Sequence, residues 1–243
     1  MDGMTFELPL FLFATFAGAF IAGLSGFAFG LVAASLWLYI LNPSQSAALI
    51  IGFGLLVQGY SVWKLRRALD WHRLWPFVAG AALGVPVGVT LLTWSDPRSV
   101  RIAVGVLLVA YSLYAWFRPQ LKLAATGGRI SDAIVGFSNG ILGGLTGLAG
   151  ILVTIWCALR GWPKEAQRAI FQPVAVAIFL MSALWLGANG AVTAGTIKFF
   201  VIGLPFLFAG TWLGLKLFGT LNEVMFRKIV LTLLFISGAA LMF

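Results

Sequence analysis

Glycine clusters interleaved with hydroxyl and amide side chains occur twice in this 243-residue chain, GLSGFAFG at 23–30 and SNGILGGLTGLAG at 138–150. The chemistry open to such clusters is that of the backbone. Where a helix is interrupted and restarts, its first N–H groups lack an intrahelical acceptor, and with the helix dipole they make a site for a negative group. Gly23, Gly26 and Gly30 in the first cluster, and Gly143, Gly144, Gly147 and Gly150 in the second, would let an anion approach the chain closely. Ser25, Ser138, Asn139 and Thr146 add hydroxyl and amide donors beside them. The competing reading is that these glycines only permit close helix packing, as small-xxx-small patterns do in membranes.

Three further side chains stand where they could line a pathway. Gln172 precedes Pro173, which cannot donate a backbone hydrogen bond and loosens its helix beside a buried amide, and Gln58 lies at a comparable depth in the first half. Arg168, one turn before Gln172, is the basic residue best placed to meet an anion; its plainer role is a snorkelling interfacial arginine. Catalytic chemistry is not offered. His72 lies in a basic loop, Cys157 reads as a lipid-facing thiol without a base near it in sequence, and all seven acids fall at segment ends or in loops. A buried carboxylate relay is therefore not expected, and neither a metal nor an organic cofactor is called for.

The elements that must hold these clusters are membrane helices. With 61% hydrophobic and 9% charged residues, a water-soluble domain of this length could not cover its surface. The net charge of +9 does not point to nucleic acid, because the basic residues sit in short breaks between apolar runs. One cysteine excludes an internal disulfide, and the N-terminus lacks the basic start of a cleavable signal peptide. Trp63, Trp71, Trp75, Trp94, Trp116 and Trp162 fall near segment ends, as an interfacial belt does.

A full span takes about 20 apolar residues. Apolar segments run over 8–41, 45–63, 74–94, 99–117, 130–159, 166–187, 196–215 and 225–243; the first and fifth are too long, and each has its glycine cluster at the centre. If both cross once, the basic residues divide 8 against 8 between the two sides. If each folds into a hairpin returning to its own side, the loops at 64–73, 118–132, 160–168 and 216–228 fall together, with 13 basic residues against 3. The positive-inside rule selects the hairpins. The expected fold is thus an all-α membrane protein of two inverted-topology repeats, 1–120 and 121–243, each a Gly-broken hairpin plus three transmembrane helices, with both termini outside the cytoplasm. Traces of duplication support it: Gly23 pairs with Gly143, Gly30 with Gly150, Pro43 with Pro163, and the Gly-x-Pro at 84–86 with that at 203–205. Whether the hairpins stop at mid-bilayer or cross as short helices stays open.

The stretch AGAFIAGLSGFAFG, its counterpart GFSNGILGGLTGLAG, the following loop GWPKEAQRA and the Gly-x-Pro helix after a basic loop resemble the TauE/SafE family over essentially the whole chain. The resemblance implies movement of small sulfur-containing anions such as sulfite or sulfonates, often outward, across a bacterial-type inner membrane, with the hairpin tips as binding elements. Phe27-Ala28-Phe29 stands where relatives are richer in glycine, which makes Phe27 a candidate specificity residue. Alternating access is the expected mechanism, with a proton carried by the substrate or by water left open. A channel of the same architecture is the nearest alternative, and a membrane-embedded enzyme a more distant one. The expected partners are a small anion and the lipid bilayer, with no nucleic acid; the oligomeric state is not legible.

Overall fold

The computed structural model describes residues 3–25, 28–65, 69–117, 128–190, 192–217 and 223–243. All its elements are α-helices: α1 (Gly3–Ser25), α2 (Phe29–Trp37), α3 (Pro43–Leu65), α4 (Trp71–Trp94), α5 (Pro97–Phe117), α6 (Arg129–Thr146), α7 (Ile151–Leu159), α8 (Lys164–Ala188), α9 (Ala194–Leu217) and α10 (Glu223–Ala240). Six of them, α1, α3, α4, α5, α8 and α9, are long and apolar enough to cross a bilayer. The protein is a multi-pass membrane protein. Of the tryptophans read as a belt, Trp63, Trp71, Trp75, Trp94 and Trp116 are exposed, as ring systems meeting lipid headgroups must be.

Neither over-long segment is a single helix among the described residues. The second stops at Thr146 and restarts at Ile151; the turn between them uses Gly147 (φ 75°) and Gly150 (φ 103°), left-handed conformations that cost a side-chain-bearing residue about 1 kcal/mol or more. The first restarts at Phe29 from Ala28, which adopts φ 76° without being glycine. The two short helices that follow, α2 and α7, have nine residues each, or about 14 Å of length, less than half of a bilayer's hydrocarbon thickness.

The described chain divides into two compact units that are not its sequence halves. One holds α1, α2, α5, α9, α10 and the start of α3; the other holds the rest of α3 with α4, α6, α7 and α8.

In the first unit α2 runs back along α1. Phe11 stacks on Trp37 with ring centroids 5.1 Å apart, the Trp37 indole donates to Phe11 O at 3.4 Å, and further along Gly18 lies against Phe29 O. Trp37 and Phe11 are completely buried, and Phe199 of α9 adds a tilted ring 4.8 Å from Phe11. Helices α1 and α9 meet backbone to backbone, Gly210 against Phe16 O and Gly214 against Phe20 O; both numbers rise together, so the helices are parallel. Gly105 and Gly238 give α5 and α10 the same close approach.

In the second unit α4 and α6 form a longer seam of this kind. Gly80, Gly84 and Gly88 of α4 lie against the carbonyls of Ala133, Phe137 and Ile141, while Gly136, Gly140 and Gly144 of α6 lie against those of Phe77, Ala81 and Val85. Any Cβ at these six positions would collide with a carbonyl oxygen of the facing helix. Pro86 and Pro205 are accommodated inside continuous helices α4 and α9.

Candidate functional site

The second interruption is built by three groups of α6. Asn139, completely buried, accepts the backbone N–H of Gly150 at 3.2 Å and of Leu152 at 3.3 Å through Oδ1. Its carboxamide thus caps the start of α7 from across the turn, taking the place of the side-chain cap that Gly150 cannot supply. One turn on from the Gly143 backbone, whose carbonyl accepts the Gly147 N–H at 2.8 Å, Thr146 donates to Leu142 O at 2.7 Å and accepts the Leu148 N–H at 3.1 Å. The threonine hydroxyl proton is therefore committed to its own helix. What remains as donor is the Asn139 Nδ2, buried with no partner among the described residues. It is geminal to the oxygen holding the α7 amides, next to the first-turn N–H groups of Ile151 and Val153, which have no acceptor within their helix.

Helix α8 forms the neighbouring wall. Ile178 faces Gly143, and Ala175 and Phe171 face Gly150, where an added methyl would still find ordinary contact distances of 3.7 Å and 3.9 Å. Gln172 is buried on this helix; Gln58 of α3 is buried, with Oε1 unpartnered among the described residues. Ser138 is half-buried, and Arg168 is exposed.

The glycines expected at the site separate by role. Gly143 and Gly147 belong to the turn. Gly144 faces away from it: its added Cβ would lie 2.7 Å from Val85 O in the α4–α6 seam. Gly23 has the same surroundings in the first unit, 2.7 Å from Thr211 O of α9. These two glycines are where helix backbones touch. Gly26, Phe27 and the side chain of Ser25 lie outside the described residues.

Sequence reasoning missed an ion pair. Asp132, in the first turn of α6, accepts the Arg160 guanidinium at 2.9 Å and the Trp156 indole N–H at 2.7 Å, with both charged side chains largely buried. Arg160 also stands over the Trp162 ring at 4.8 Å, and Arg73, from the start of α4, faces the same ring at 5.3 Å. A signal was present: residues 132 and 160 are equidistant from residue 146, the end of α6, as are 139 and 152 within one residue, so a reversal at the glycine cluster brings both pairs together. Cys157, expected to face lipid, is instead fully buried in protein, because the reversal turns that side of α7 onto its neighbours.

Among the described residues at the interruption, the groups left free are neutral hydrogen-bond donors. No curated protein and no solved structure matches the chain. The family model of the sulfite exporter TauE/SafE matches residues 10–241, all but the extreme ends, and the chain belongs to that family of transporters.

Proposed function

We propose that the protein carries small sulfur-containing anions, such as sulfite and sulfonates, out of the cell by alternating access, binding them at the interruption between α6 and α7. The observation that carries this reading is Asn139: a fully buried carboxamide whose oxygen organises the α7 N-terminus while its N–H₂ has no partner among the described residues. A buried donor left so is costly, about 1–3 kcal/mol, and a bound acceptor would remove that cost. Gly143 and Gly147 shape the turn, Gln58, Ser138 and Gln172 line the approach, and Arg168 collects anions at the surface. We extend the same role to the first glycine cluster, where Ser25, Gly26 and Phe27 are the candidate binding residues, while Gly23 packs α1 onto α9.

The topology we infer is two inverted repeats, each a glycine-broken hairpin and three crossing helices, in the inner membrane with both termini outside. Two observations support it. Arg73 lies 5.3 Å from the Trp162 ring, which agrees with residues 73 and 162 lying on one side of the membrane, as the hairpin reading expects. The paired nine-residue helices, each started by a left-handed residue, are what duplication would leave. An inside-negative potential then favours anion export by about 2.3 kcal/mol per charge per 100 mV, so no coupling carboxylate is needed.

The test is flux of labelled sulfite and sulfoacetate in proteoliposomes. A carrier gives saturable flux with counterflow, reduced at least about tenfold in Asn139→Ala. Unsaturable conductance would make the protein a channel, and absence of flux for every anion would refute the proposal.

A further inference from the structure

We propose that the α6–α7 site selects singly charged oxoanions, so that the species carried are hydrogen sulfite and organosulfonates with no second charged group, and the doubly charged sulfite and sulfate ions are excluded. This rests on the site reading above and narrows it.

The charge available at the site is small. The N-terminus of α7 presents roughly half an elementary positive charge. Asn139 Nδ2 is a neutral donor. Among the described residues of this unit Arg160 is the largely buried cation, and its guanidinium is already paired with Asp132 at 2.9 Å. Arg73, Arg129 and Arg168 are exposed. A guest therefore meets dipoles and one N–H₂ group, with no uncompensated cation among the described groups beside it.

Dipoles alone distinguish the two charge states. Attraction to a fixed dipole grows in proportion to the charge of the guest, so a dianion gains about twice as much as a monoanion of the same shape. The cost of leaving water grows with the square of the charge, so it pays about four times as much. Where an anion site uses paired arginines the first term can win. Here the second does, because the walls are Ile178, Ala175 and Phe171. Hydrogen sulfite carries its proton with it, so each anion exported also removes one proton without any titrating side chain.

The experiment uses the purified full chain in vesicles of phosphatidylethanolamine and phosphatidylglycerol. Methanesulfonate and methylphosphonate have nearly the same shape, but the first stays singly charged and the second gains its second charge around neutral pH. Methanesulfonate flux should be constant from mildly acidic to mildly alkaline pH. Methylphosphonate flux should fall about tenfold per pH unit once its second proton is lost. Sulfate should move at least about tenfold more slowly than methanesulfonate at every pH. Methylphosphonate flux that holds or rises with pH, or sulfate flux equal to that of methanesulfonate, overturns the inference while leaving anion transport intact. No flux of any of the three, with sulfite and sulfoacetate also immobile, overturns the transport reading itself. A thermal shift by methanesulfonate and not by sulfate would support the selectivity independently of flux.

Discussion

Replacing Asn139 separates two jobs that one side chain performs. Its Oδ1 holds the Gly150 and Leu152 amides at 3.2 Å and 3.3 Å, and each neutral hydrogen bond of this kind contributes about 1 kcal/mol. Asn139→Ala removes both and leaves a small void, so a loss of about 2 kcal/mol is expected, in line with the range for lost helix caps. For a chain of this size that lowers Tm by about 4–8 °C. Asn139→Asp keeps the capping oxygen, and a negative charge is favourable at a helix N-terminus, so its Tm should stay near that of the parent. Its second oxygen, however, replaces the Nδ2 donor. When ionised it repels an anionic guest; when protonated it is again a donor, so methanesulfonate flux through this variant should fall as pH rises, whereas the parent's stays flat. The assays are thermal unfolding of the detergent-purified proteins and flux in proteoliposomes. Unchanged Tm in Asn139→Ala would refute the capping role, and pH-independent, parental flux in Asn139→Asp would refute the donor role.

Other substitutions report on single features. Asp132→Asn strands a largely buried guanidinium and should cost about 3–5 kcal/mol, whereas the double change Asp132→Leu with Arg160→Met should recover most of it, as a double-mutant cycle in chemical denaturation would record. Ala28→Gly relieves a left-handed alanine and should raise stability by up to about 1 kcal/mol, read as a higher Tm. Gly84→Leu should prevent assembly of the fold, seen as loss of a monodisperse peak on size exclusion, because its side chain would enter the Phe137 carbonyl. Gly59→Ala in α3, where an added Cβ meets nothing within 4 Å, should be neutral or stabilising by up to about 1 kcal/mol in the same denaturation assay.

Helix positions were readable because apolar length is a local property: the expected segment 166–187 is observed as Lys164–Ala188, and 99–117 as Pro97–Phe117. The interruption of 130–159 was readable for the same reason, since a run of glycines weakens a helix wherever it lies. The division of labour among those glycines was not. Gly143 and Gly144 are adjacent in the chain, yet one faces Ile178 across the turn and the other faces Val85 across the seam, a difference set by rotation about the helix axis relative to partners distant in sequence. Asp132 and Arg160 illustrate the same limit. Each reads as an ordinary charge at a segment end, and only the reversal between them makes them a buried pair. Arg168, by contrast, stays at the surface, where its position at the start of a helix already put it.

The interlock of α4 with α6 constrains how this half of the molecule can work. Side chains can exchange rotamers and so let packed helices slide, but here the opposing surfaces are peptide groups, which have no rotamers to exchange. At Gly136, Gly140 and Gly144 the facing carbonyl oxygens already occupy the space a Cβ would need, so neither helix can slide along the other without forcing backbone into backbone. In the transport cycle proposed above the two helices would therefore travel as a single rod, and the bending would fall to the glycine joint at 147–150, which holds two left-handed residues.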